Sequence, residues 1–89
     1  MSESYRYYDW VLEALAGHGL VPRDATPPSA LRDALSDLYR YEIRRLRRSL
    51  LSGGIPKAEY ADHVIALRKQ YLLLSVPVER WLIRRSEDR

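Results

Sequence analysis

Apolar residues recur along this chain at the three-to-four spacing of a helix. Tyr5, Tyr8, Val11, Leu12 and Leu15 share one face. Leu31, Leu35, Leu38, Tyr39, Ile43, Leu46 and Leu50 form a second, longer stripe. Tyr60, Val64, Leu67, Tyr71 and Leu74 form a third, widened by Ala61, Ile65 and Leu72, and a face that broad is expected to meet more than one neighbour. No stretch alternates apolar and polar residues for long, and no Asn-Gly turn is present, so strand signals are lacking. Gly and Pro, which interrupt helices for steric reasons, fall in groups: Gly17 to Pro28, then Gly53, Gly54 and Pro56, then Pro77. The pattern predicts helices over residues 3–16, 27–51, 56–74 and 77–86. Thr26 before Pro27 reads as an N-cap with proline at the first helical position. The expected fold is all-α: an antiparallel hairpin of two long helices turning at Gly53-Gly54, with a shorter helix at each end of the chain, in one small bundle spanning residues 1–89.

Length adds a constraint. A second helix of about 24 residues is about 36 Å long. A compact domain of this size has a radius of gyration near 12 Å, hence a diameter of about 31 Å. The helix outruns the globule that should cover it by a few ångströms, so either a helix end protrudes or a second chain covers the excess stripe, which favours an oligomer. Composition narrows the class further. With 89 residues, 46% hydrophobic and 30% charged, the chain is one small domain with a marginal core, too apolar for a disordered tail. Without cysteine there is no disulfide staple and no thiolate metal site. No run of about 18 uninterrupted apolar residues is present, so no membrane span is expected. No charged-then-apolar leader opens the chain, and the expected location is cytoplasmic. The net charge of +3 is spread as −2 over residues 1–26, +3 over 27–55 and +2 over 56–89, which is far from a polybasic arm.

Several residues carry candidate chemistry. Trp10, Tyr7 and Tyr41 lie outside the main stripes, and Trp81 lies on the terminal helix. Tyr and Trp are enriched at interface hot spots because each joins a large apolar area to a polar tip, so these four are the candidate partner interface. Glu42 and Arg68 interrupt the stripes of the two long helices at comparable distances from the turn. A buried carboxylate costs several kcal/mol unless paired, so a buried Glu42–Arg68 ion pair that fixes helix register is expected. Arg44, Arg47 and Arg48, with Arg80, Arg84 and Arg85, are the candidate phosphate contacts of an alternative reading as a small DNA- or RNA-binding regulator. The competing reading of the second-helix arginines is a solvated face whose charge complements the helix dipole, and their spacing favours it. A helix-turn-helix over Leu67 to Arg85 fits its template poorly. His18 and His63 have no convergent ligand partners, so no metal is expected. No phosphate-binding loop, nucleophile elbow or paired carboxylate is present; the expectation is no enzyme and no cofactor.

Residues 46–74 carry one further pattern: a leucine helix ending at Gly53-Gly54-Ile55, then Glu59 and Tyr60, with Val64 and Leu67 beyond. This resembles the SHOCT motif, a short helical hairpin in which Gly-x-Ile is followed by Thr-x-x-Glu-Phe or Tyr. Pro56 stands where that motif has Thr, so the capping box with Glu59 is lost. The resemblance implies a helical interaction or oligomerisation module and carries over no active site. The leading expectation is a non-enzymatic interaction module, a homodimer or a small subunit of a larger complex; an accessory protein that chaperones or regulates an enzyme is a third reading.

Overall fold

The computed structural model describes residues 4–83. Three α-helices follow in order: α1 (Asp9–Ala16), α2 (Pro28–Leu51) and α3 (Lys57–Gln70). Among the described residues two single 3-10 turns follow, η1 (Leu72–Ser75) and η2 (Val78–Arg80). Among the described residues the fold is mostly helical and contains no strand, with one isolated antiparallel bridge between Tyr7 and Leu82. α2 packs against α3 and against both 3-10 turns. One long helix is present rather than two, because α3 stops 14 residues after it starts.

Each boundary has a local cause. α2 ends in a Schellman motif: the Gly54 N–H donates to the Ser49 carbonyl at 2.8 Å and the Gly53 N–H to that of Leu50 at 3.2 Å. This requires a left-handed residue, and Gly53 supplies it at φ 82°. The same device ends α1, where Gly19 at φ 77° lets the Leu20 N–H return to the Leu15 carbonyl at 2.9 Å. Thr26 is not the cap of α2; Pro27 holds that position and α2 starts at Pro28. Thr26 closes its own turn instead, its Oγ1 accepting from the Arg23 N–H at 2.9 Å. At the end of α3 the backbone leaves helical geometry at Tyr71, with φ −113° and ψ 30°, so the expected helix over residues 56–74 is split into α3 and η1.

The largest departure lies at the chain ends. The expected first helix over residues 3–16 begins only at Asp9, because residues 6–8 run extended against residues 81–83 and the Tyr5 N–H donates to the Asp24 carbonyl at 2.8 Å. The Tyr8 N–H donates to the Trp81 carbonyl at 3.2 Å and the Ile83 N–H to that of Arg6 at 2.8 Å. Side chains alternate along an extended segment, so Tyr7 faces inward where a helix would have turned Tyr8 in. The expected terminal helix over residues 77–86 is likewise reduced to η2, and its last residues lie outside the described part. Trp81 then enters the core, where its Nε1–H donates to the Val76 carbonyl at 2.9 Å.

Tyr7, Val11, Leu15, Leu31, Leu35, Leu67, Tyr71, Leu73 and Trp81 form that core. The Tyr7 hydroxyl donates to the Thr26 carbonyl at 2.6 Å, stapling the N-terminal segment to the α1–α2 loop. Burial first, and the neighbouring Tyr5 second, push its pKa from 10.0 up to about 12. A group whose folded pKa is raised contributes stability that is complete below its unfolded pKa and is lost as pH climbs through the folded one. Wild-type unfolding free energy is therefore expected to fall by about 2–3 kcal/mol between pH 10 and 12 from this group. The Tyr7→Phe variant should lack that component in urea titrations across the same window; an equally steep alkaline decline in the variant would assign the effect elsewhere.

Candidate interaction surface

The core occupies one end of the molecule. From Ser36 through Ala66, comprising the second half of α2, the turn and most of α3, no residue is buried. Two packed helices can shield only the strip between them, so side chains here stay half-buried at best. Leu38, Tyr39, Ile43, Leu46, Leu50, Tyr60 and Val64 are all in that state, and Ile65 is 50% exposed. The molecule measures 54 × 22 × 17 Å with a radius of gyration of 16.3 Å. A compact chain of this length would have a radius near 12 Å.

Two grooves flank the α2–α3 contact. One is polar, lined by Glu42, Arg45 and Ser49 from α2 and by His63 and Gln70 from α3. The other is mainly apolar, about 270 Å³, and lies where α3 gives way to η1: Tyr39, Tyr71, Leu72, Leu74 and Ser75 line it, with Arg68 at its edge. The Tyr39 and Tyr71 rings meet edge to face, 5.2 Å between centroids. Burial, with the Glu42 carboxylate as a smaller influence, raises the Tyr71 pKa, so its hydroxyl is neutral at physiological pH. His18 covers the far side of Tyr71 at 4.2 Å between centroids, and its Nε2–H donates to the Gln70 carbonyl at 2.8 Å. This ties the loop after α1 to the end of α3 and gives His18 a structural role.

The four residues expected at a partner interface divide evenly. Trp10 and Tyr41 are exposed, at 48% and 53%. Trp10 stacks on Tyr8 with 6.2 Å between ring centroids, forming a surface aromatic pair. Tyr7 and Trp81 are core residues and carry no surface. Their hydroxyl and indole N–H are spent on the Thr26 and Val76 carbonyls, which is how aromatic residues with polar tips become buried.

The buried Glu42–Arg68 pair is not formed. Glu42 is half-buried in the polar groove and Arg68 is exposed beside the apolar one, on the other side of the helix contact. Among the described residues no ion pair joins them and no charged group is buried, so no desolvated carboxylate calls for a partner. A described ion pair, Arg40 to Asp37 at 3.3 Å, lies on the exposed face of α2.

Arg44, Arg47 and Arg48 are exposed along the outer half of α2. Arg80 is exposed on η2, beside the core end, and so does not extend their patch. Arg84 and Arg85 lie outside the described residues. Among the described residues no three metal-ligating side chains converge, and no helix is long and apolar enough to cross a membrane.

The apolar groove was not anticipated as a unit. Its sequence signal is Leu72, which with Ala61 and Ile65 widens the third stripe beyond what one partner helix can cover; of these only Leu72 lines the groove. No protein-family model, no curated protein and no solved structure matches the chain.

Proposed function

We propose that this protein is a non-enzymatic helical interaction module that self-associates through an antiparallel α2–α3 hairpin. The observation that carries the reading is the uninterrupted run from residue 36 to residue 66 without a buried side chain, although Ile43, Leu46, Leu50, Val64 and Ile65 all lie within it. The surface area agrees with it. A compact monomer of 10.4 kDa exposes about 5,400 Å², and this chain exposes 7021 Å². The excess, about 1,600 Å², is roughly twice what one partner contributes to a standard interface. The polar groove supports the antiparallel hairpin, since Glu42 to Ser49 of α2 and His63 to Gln70 of α3 line it from opposite sides of a five-residue turn. The resemblance to the SHOCT helical hairpin across residues 46–74 points the same way.

Light scattering after size exclusion tests the proposal. Wild type is expected to be a dimer at tens of micromolar, and Ile65→Asp to be monomeric at that concentration with unchanged helical circular dichroism, because Ile65 is half exposed and its loss opens no cavity. A wild-type mass of one chain at every concentration up to hundreds of micromolar would exclude self-association. The alternative as a nucleic-acid binder rests on the exposed Arg44, Arg47 and Arg48; it calls for steeply salt-dependent mobility shifts with duplex DNA or RNA.

A further inference from the structure

We infer that the two copies lie antiparallel, each basic hairpin tip beside the acidic base of the other; this rests on the self-association proposed above and adds its geometry. The first support is the charge order along α2. Over residues 28–39, Arg32 against Asp33 and Asp37 leaves −1. Over residues 40–51, Arg40, Arg44, Arg45, Arg47 and Arg48 against Glu42 leave +4. Side-by-side copies with tips together set +4 against +4, and like charges in register disfavour a pairing. Reversing one copy about a two-fold axis near residue 40 sets the basic half of α2, with Arg47 at the border of the apolar side, at the level of the other copy's acidic half, with Asp33 level with Arg47. A two-fold contact uses the same patch twice, so one favourable pairing is made in duplicate and the assembly closes as a dimer.

The second support is the apolar side of the hairpin. At 100° per residue, Ile43 and Leu50 stand within about 60° of Tyr39 on α2, and Ala61 and Ile65 within about 60° of Arg68 on α3. They continue the side of the apolar groove along the hairpin, ending at Leu72, which is 59% exposed. This face accepts a second helical pair of the same kind. Its rim of Arg47, Lys57 and Arg68 favours the acidic end of the other copy over its basic end.

The chain contains no cysteine, so Leu51→Cys, at a position 79% exposed, introduces a single nitroxide site at the tip without disturbing the core. In the antiparallel dimer the two labels are separated by most of the length of α2, about 33 Å over 22 residues. Pulsed electron–electron resonance on the labelled dimer is expected to give a distance at or above about 30 Å. A shorter distance places the tips together and overturns the arrangement while leaving self-association standing. Raising sodium chloride from 50 to 500 mM should weaken the wild-type dimer at least about tenfold. Unchanged or tighter association in high salt also overturns the arrangement, because it means that opposite charges do not face each other. The wild-type mass decides the underlying reading separately: a strict monomer removes self-association itself.

Discussion

Replacing Trp81 with alanine is expected to cost about 3–5 kcal/mol and to leave little folded protein at 37 °C. Total stability for a domain of this length is about 4–13 kcal/mol, so one such loss consumes much of it. Trp81 is fully buried in a core it shares with Tyr7 of the N-terminal segment, Leu31 and Leu35 of α2 and Leu67 of α3. Removing the indole opens a cavity and leaves the Val76 carbonyl without its donor. Trp81→Phe separates the two effects. It keeps a six-membered ring, so the void it leaves is small and the loss of the hydrogen bond weighs most, for about 1–3 kcal/mol. Thermal melts followed by far-ultraviolet circular dichroism measure both. A shift of only a degree or two in Trp81→Ala would mean that the C-terminal segment does not seal the core.

A similar loss, about 2–5 kcal/mol, is expected for Leu35→Ala and not for Leu46→Ala, although both belong to one heptad-like stripe on α2. Leu35 is fully buried where α2 meets the core; Leu46 is half-buried in the thin part of the molecule. Truncating a half-buried leucine forfeits less transfer energy and leaves no enclosed cavity, so about 1 kcal/mol is expected in dilute solution. Under the proposed self-association the Leu46→Ala penalty should grow with concentration, because the wild type would gain stability by mass action and the variant less. Urea midpoints at one and one hundred micromolar check this. Equal penalties for the two variants at the lower concentration would show that the outer half of α2 is rigid without a partner.

The α2 stripe and its double-glycine stop were legible in the sequence because they are local: apolar spacing, Gly53 and the Schellman bonds all lie within a few residues of one another. The extended pairing of residues 6–8 with 81–83 was not. Nothing in the periodicity around Tyr5 and Tyr8 signals that the backbone bonds go to a segment at the other end of the chain. Once those bonds form, the alternation they impose turns Tyr7 inward and leaves Tyr8 half-buried. The same blindness made Trp81 look like an exposed ring on a terminal helix. Glu42 and Arg68 were misjudged for a different reason. Each interrupts a stripe, and angular position along one helix alone does not say on which side of the contact with the other helix a residue falls. Trp10 and Tyr41, which lie off the stripes, are exposed.

The union of the two chain ends also governs the order in which the molecule can assemble. α2, its glycine stop and α3 are neighbours in sequence, and their contacts form without bringing remote segments together. The bridge from Tyr7 to Leu82 instead closes a loop of about 75 residues, at an entropic cost of about 4 kcal/mol in an otherwise unordered chain. Docking α1 and η1 onto α2 first shortens that loop. The indole then acts as the last wedge driven into a partly built interior, and until it arrives α2 and α3 stand alone.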